Sequence, residues 1–159
     1  MIADQKDPSL DMKTAAWRRP EFFLYWLPPL LWAGAILVMS GEMGSSSHTL
    51  ALLQWLLSSS LSPGQIKAIH FYLRKTGHAT AYGILFFLWF RALRGQRRLR
   101  PGRAAWLTLG LCLLLAVTDE GHQFLLQSRT GSIWDVCLDL SGSGLTAVLL
   151  LVTGWPRPR

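Results

Sequence analysis

Charge-free apolar runs recur along the chain and predict membrane-spanning helices. The first run, Phe22–Ser40, has 19 residues without Asp, Glu, Lys or Arg, which is long enough as a helix to cross a hydrocarbon core of about 30 Å. Three further runs, residues 77–90, 104–118 and 140–155, have 14, 15 and 16 such residues. Each is too short alone, so each helix must include ionisable residues at one end. The pattern predicts an all-α, polytopic membrane protein, a bundle of four transmembrane helices.

The composition agrees with a membrane protein. The chain has 159 residues, 50% hydrophobic and 16% charged, with a mean hydropathy of +0.26, which is too apolar for a typical small soluble enzyme. The net charge is +7, but the bases are confined to short stretches between apolar runs, so we predict no nucleic-acid partner. Cys112 and Cys137 lack metal-binding spacing, and their difference in depth disfavours a disulfide between them.

Basic residues are distributed unevenly between the two sides, which predicts the orientation. Twelve Lys and Arg residues flank one set of helix ends and four flank the other. Because basic loops stay in the cytoplasm, both termini are predicted to be cytoplasmic. Residues 1–21 would be a disordered tail, residues 22–155 the transmembrane domain, and residues 156–159 a second tail. The larger basic set is Lys6, Lys13, Arg18, Arg19, Arg91, Arg94, Arg97, Arg98, Arg100, Arg103, Arg157 and Arg159.

Six arginines of this basic set lie between the second and third predicted spans. Their function has two interpretations. They could bind nucleic acid or an anionic lipid. Alternatively, they could determine topology and only touch the headgroups of the inner leaflet. We favour the second interpretation.

The outer segment between the first two spans contains two local signals. Residues 48–57 are short and apolar enough to form an extra helix on the membrane surface. Ser62-Pro63-Gly64-Gln65 is a capping-box pattern with proline at the first helical position. A helix is therefore predicted to start there and to continue into the second span.

Ionisable residues of three predicted helices fall at similar depths in the outer third of the membrane. Counted from the cytoplasmic ends at 1.5 Å per residue, Asp119 and Asp139 lie about 24 Å up and His78 about 18 Å up. Since a charge facing lipid costs at least a few kcal/mol, these residues should face one another in a water-accessible pocket that opens outward. Residues sharing a helix face are Lys75, His78 and Tyr82; Asp119, His122 and Gln123; and Asp135, Asp139 and Gly142.

Several of these residues also have structural interpretations. Ser132-Ile133-Trp134-Asp135 is a capping-box pattern, so Asp135 could serve as a cap. Gly142 and Gly144 could allow two helices to approach closely. An ion-pair network would explain the buried acids without any chemistry; its members would be Asp119, Glu120, Asp139, Lys75 and Arg129.

Three motifs follow one another in order along the chain. They are Lys75-x-x-His78-x-x-x-Tyr82, Asp119-Glu120-x-x-Gln123 and Arg129-x-Gly131-Ser132-x-x-Asp135. Together they resemble the signature of VanZ-like membrane proteins, a family named for a teicoplanin-resistance accessory factor. The resemblance implies a protein of the bacterial cytoplasmic (inner) membrane and cell envelope, but it supplies no reaction. One position departs from the usual pattern, because this chain has Asp139 where the family usually has Asn.

The leading hypothesis is an outward-facing polar pocket that binds, and could modify, an anionic lipid or a lipid-linked cell-wall precursor. A carboxyl group paired with an imidazole would supply general acid–base chemistry. The catalytic candidates are Glu120, Asp119 and His78. The candidate ligand-binding residues are Lys75, Tyr82, Gln123, Arg129, Asp135 and Asp139.

Two alternatives belong to other classes. A metal site could be built from Asp119, Glu120, His78 and Asp139, but no local metal motif supports it, and we predict neither a metal nor a cofactor. The third hypothesis is a non-enzymatic accessory protein. Such a protein would be surrounded by membrane lipids and could form a homodimer. In that case the buried charges would form a structural ion-pair network.

Overall fold

Five α-helices make up the part of the chain that the computed structural model describes, residues 8–41, 46–125 and 132–154. The described residues are all-helical, as predicted, and contain no strand. Three segments, Phe22–Ser40, Pro101–Phe124 and Ile133–Val152, are long and apolar enough to cross a membrane. The helices are α1 (Pro8–Ser40), α2 (Ser46–Leu57), α3 (Pro63–Gly95), α4 (Pro101–Leu125) and α5 (Ile133–Val152).

Local capping chemistry explains where α3 and α5 begin. The Ser62 side chain accepts from Gln65 N, and the Gln65 side chain accepts from Ser62 N at 2.9 Å, which confirms the predicted capping box. At α5 the Ser132 side chain accepts from Trp134 N at 3.3 Å. The Asp135 side chain instead forms an ion pair with α3, so the predicted capping role of Asp135 is wrong.

The first helix is longer than the apolar pattern predicts. α1 begins at Pro8 and continues through Pro28 and Pro29 to Ser40. It therefore includes part of the segment that we expected to be a disordered tail, while residues 1–7 lie outside the described chain. α2 is a short apolar helix at the position predicted for it.

α3 is the central helix and contacts each of the other four. Its inward face carries fully buried Tyr82, Leu85 and Phe86, which pack with Cys112 of α4 and Ala147 of α5 in the core. Large apolar side chains on the outer faces remain exposed, as is typical of helices that face lipid. Examples are Leu31 of α1, Trp106 and Leu114 of α4, and Leu145 and Val152 of α5.

A glycine allows α3 and α5 to approach closely. A Cβ atom at Gly142 would overlap the backbone carbonyl of Ala79, which is a part of α3 that cannot rotate away. A Cβ atom at Gly83 would lie 2.9 Å from the Thr146 hydroxyl on the same interface. The close-packing interpretation is therefore confirmed for Gly142. It is wrong for Gly144, where an added Cβ atom would meet nothing within 4 Å among the described residues.

We expect Gly142→Ala to destabilise the protein by about 1–3 kcal/mol, because the added methyl group forces the two helices apart. The matched control is Gly144→Ala, two residues along the same helix, which should be neutral or slightly stabilising since it improves helix propensity. Thermal unfolding of both variants in the same detergent measures the difference. Equal midpoints for the two variants would contradict the close contact.

Candidate functional site

An ion pair and a His–Asp contact join α3 to α5. Lys75 pairs with Asp135, and the two side chains are 32% and 23% exposed. One helical turn deeper, His78 Nδ1 lies 3.3 Å from Asp139 Oδ1. Lys75 and His78 are three residues apart and Asp135 and Asp139 are four apart, so each pair lies on one face of its helix, and the polar face of α3 meets the acidic face of α5. The predicted meeting of these two polar faces is confirmed.

Asp139 is the most enclosed member of this pair of helices. Its side chain is fully buried, and Oδ2 has no hydrogen-bond partner among the described residues. The His78 side chain is 21% exposed, so the imidazole lies between a buried carboxyl group and the outside of the cluster. The neighbour of His78 is therefore Asp139, rather than Asp119 or Glu120 as the acid–base hypothesis had it.

The two acids of α4 are buried and hydrogen-bonded to other elements. Asp119 accepts from the Ser40 hydroxyl at the end of α1, and Gln123 Nε2 donates to Asp119 Oδ2 at 3.3 Å. Glu120 Oε2 accepts from the backbone N–H of Ser132 at 2.6 Å, directly before α5. Glu120 thus binds the backbone at the start of α5 from a neighbouring helix, and each acid connects two helices.

The cluster of Lys75, His78, Asp119, Glu120, Asp135 and Asp139, here called the polar cluster, differs from the predicted open pocket. Its four carboxyl groups face one lysine and one histidine among the described residues. This balance does not suit a pocket for an anion, because like charges repel one another and the ligand. The predicted ion pairs are not seen among the described residues: Lys75 pairs with Asp135, which was not a predicted member of the network, and Arg129 lies outside the described residues.

The same geometry bears on the metal hypothesis. Within the described chain, no three His, Cys, Asp or Glu side chains are grouped so that they could hold a metal ion. The carboxyl groups are directed into separate contacts with Lys75, His78, Ser40 and Ser132.

A cavity of about 340 Å³ lies between α1 and α3, beside the polar cluster. Most of its wall is apolar, and its polar residues are Ser40, His78 and Tyr82. The Tyr82 hydroxyl is buried and has no hydrogen-bond partner among the described residues. Of the predicted site residues, His78 and Tyr82 line this cavity, which is completed by Trp32, Ala35, Ile36, Met39, Gly77 and Ala81.

Sequence reasoning missed three residues that hold this region together. Ser40 bonds to Asp119 and lines the cavity. Trp32 Nε1 donates to Ala81 O at 2.9 Å, and the buried Ser143 hydroxyl donates to Tyr82 O at 3.3 Å. A serine or tryptophan within an apolar run carries no distinctive signal, so only the placement of the helices identifies these contacts.

The fold and the polar cluster define the class of protein: an all-helical membrane protein with ionisable residues gathered inside its bundle. The sequence model of the VanZ/LLP1 family matches residues 23–154. The chain belongs to the VanZ/LLP1 family. Comparison with curated proteins and with solved structures finds no significant match.

We expect the charge swap Lys75→Asp with Asp135→Lys to recover stability that either single substitution loses. Each single change places two partly buried like charges against each other and should cost about 1–3 kcal/mol. The control swap, Lys75→Asp with Asp119→Lys, should not recover, because Asp119 bonds to Ser40 and Gln123 instead. A thermal double-mutant cycle measures both coupling energies.

Proposed function

We propose that this VanZ-family protein spans the bacterial cytoplasmic membrane four times, with α3 as the fourth spanning helix. α3 is too polar to be identified as a membrane-spanning helix by composition alone. Its Lys75 and His78 side chains, however, face Asp135 and Asp139 rather than lipid. This pairing lowers the cost of placing the two side chains within a bilayer. In the proposed arrangement α2 lies on the outer surface, and both termini are cytoplasmic, as the basic residues predict.

The proposed activity is binding of an envelope lipid or a lipid-linked cell-wall precursor in the cavity between α1 and α3. The observation that carries this proposal is a mainly apolar cavity of about 340 Å³ with polar residues beside a buried acidic cluster. Its volume falls within the range of ligand sites. An apolar chain could pack on Trp32, Ile36 and Met39, and a polar group could bond to His78 or Tyr82.

The anionic headgroup of such a lipid would be held outside the cavity rather than within the polar cluster. Lys75 is already paired with Asp135, so Arg74 and Arg129 are the proposed cations. At the outer end of α3, above the part that would span the bilayer, burial and the nearby Arg74 hold the pKa of His70 below its ordinary value. This shift in pKa favours the neutral form of the His70 imidazole, so Arg74 is the proposed cation at this end of α3. Chemical modification by Glu120, Asp119 and His78 stays a prediction.

Tyr82→Phe gives the sharpest test, because it removes only the buried hydroxyl. If that hydroxyl bonds to a ligand, the variant should retain several-fold less co-purified lipid, with stability unchanged or slightly raised. Ala35→Phe should also reduce retention, since it fills the cavity, whereas Ala51→Phe on exposed α2 is the size-matched control. Native mass spectrometry of protein extracted from cell membranes in mild detergent measures the retained lipid.

The proposal fails if wild type and all three variants carry the same lipids in the same amounts. It also fails if Tyr82→Phe only raises the thermal midpoint, because the hydroxyl would then be an unsatisfied group with no ligand.

The second candidate function is a non-enzymatic accessory protein, including an antibiotic-resistance-like role in altering access to cell-wall precursors. One observation favours it: each member of the polar cluster links two helices, as in the contacts of Asp119 with Ser40 and of Glu120 with Ser132. A cluster of this kind could serve stability alone. A homodimer is one assembly in which such a bundle could act.

Glu120→Gln and Glu120→Ala separate a structural role from a chemical one. Gln keeps an oxygen that can accept from Ser132 N–H, so it should change stability by no more than about 0.5 kcal/mol, whereas Ala removes that acceptor at the start of α5 and should cost about 1–2 kcal/mol. Thermal unfolding gives the stabilities. If Gln preserves both stability and cellular function, Glu120 is structural; loss of function with stability intact indicates chemistry at the carboxyl group.

A further inference from the structure

A second concentration of charge lies at the other end of α3. The segment 91–103, here called the arginine turn, joins α3 to α4 and contains Arg91, Arg94, Arg97, Arg98, Arg100 and Arg103. It lies about 20 Å along α3 from His78, at the helical rise of 1.5 Å per residue. The four carboxyl groups whose side chains the structure describes all belong to the polar cluster, so none of them neutralises these arginines.

The arginine turn is packed on two neighbouring rings of α1. The Arg91 guanidinium carbon lies 5.2 Å from the Tyr25 ring centre, and that of Arg97 lies 6.0 Å from the Trp26 ring. Trp26 Nε1 also donates to the Gln96 side chain. Gly95 lies so close to Tyr25 that a Cβ atom there would overlap the ring. These contacts bring the guanidinium groups of Arg91 and Arg97 to the same end of α1, beside Tyr25 and Trp26.

Stacking on a ring leaves the edge of a guanidinium group available. A guanidinium group attracted to the face of a ring keeps its N–H donors, which form a planar fork along its edge. Within the described chain, neither Arg91 nor Arg97 forms an ion pair or a hydrogen bond through its side chain. Such forks match the oxygen atoms of a phosphate group and bind it with two parallel hydrogen bonds.

Arg94 adds a buried cation to the same turn. It is only 9% exposed; Nη1 donates to Leu99 O at 3.3 Å, and Nε is buried without a partner in the described residues. The turn reverses through Arg98, which has a left-handed φ of +50°, and Leu99 N–H donates back to Leu93 O at 3.4 Å. Among the described residues Arg94 has no acidic partner, and a buried guanidinium is costly unless a counter-ion pairs with it.

We propose that the arginine turn binds the phosphate group of an anionic phospholipid, with Arg91 and Arg97 as paired forks and Arg94 as the buried charge. The surroundings favour a phospholipid over a soluble anion. Tyr25 and Trp26 are the amphipathic rings that occur at membrane interfaces, and apolar Phe22 and Phe23 are exposed on the same end of α1. The ligand therefore presents a phosphate beside acyl chains. This proposal does not rest on the cavity between α1 and α3.

The test compares two pairs of substitutions with equal change in charge. Arg91→Gln with Arg97→Gln removes both forks, whereas Arg100→Gln with Arg103→Gln removes two exposed arginines of the same turn. Each protein is placed in nanodiscs of phosphatidylcholine containing one-tenth phosphatidylglycerol, and native mass spectrometry counts the phosphatidylglycerol retained on release. We expect about tenfold less retention for the first pair and less than twofold change for the second.

A further variant, Arg91→Lys with Arg97→Lys, keeps both positive charges. It controls for the possibility that the Gln pair lowers lipid retention only because the protein misfolds. It should still retain several-fold less phosphatidylglycerol than wild type, because an ammonium group lacks the planar fork. Ala51→Phe, on exposed α2 and outside both proposed sites, should retain the wild-type amount. Equal losses for the two Gln pairs, or full retention by the Lys pair, would overturn the proposal in favour of diffuse charge attraction. Displacement of phosphatidylglycerol by millimolar inorganic phosphate would overturn it in favour of a soluble anion site.

Discussion

The constraint that organises this molecule is the placement of ionisable side chains on its central helix. α3 carries Lys75 and His78 on the face that packs against α5, where Asp135 and Asp139 occupy the matching turns. Such a pairing requires the two backbones to be close, and Gly142, which has no side chain, allows that approach opposite Ala79. The close helix contact and the charge pairing therefore depend on each other: a wider separation would leave both acids without partners.

The remaining helices extend this arrangement. α4 contributes two further acids, and each of them binds a group outside its own helix: Asp119 the end of α1, and Glu120 the start of α5. Among the described residues, the polar cluster therefore both links the helices and holds an excess of carboxyl groups. The cavity lies beside this cluster rather than within it, so a ligand there would contact the cluster through His78.

Local and periodic signals made much of the fold predictable. The capping box at Ser62 acts over three residues, and the shared faces of α3 and α5 follow from helical spacing, so both could be derived from the sequence. Partners could not be derived in the same way. Asp135 has a capping pattern with Ser132 but bonds to Lys75, and Glu120 makes the bond to Ser132 instead. Spacing cannot distinguish these outcomes, because the competing partner comes from another helix.

The two ends of α3 carry opposite excesses of charge among the described residues. Near Lys75 the acids outnumber the bases, and Asp119 and Glu120 accept hydrogen bonds from serine, glutamine and backbone donors of the protein itself. At the arginine turn only bases are described, and the protein supplies aromatic faces instead of carboxyl groups. An aromatic face stabilises a cation without neutralising it, so the positive charge at this end remains available to an external anion. A carboxyl partner at the same place would have cancelled that charge. This difference between the two ends supports the proposal that the polar cluster bonds internally and the arginine turn binds an external anion.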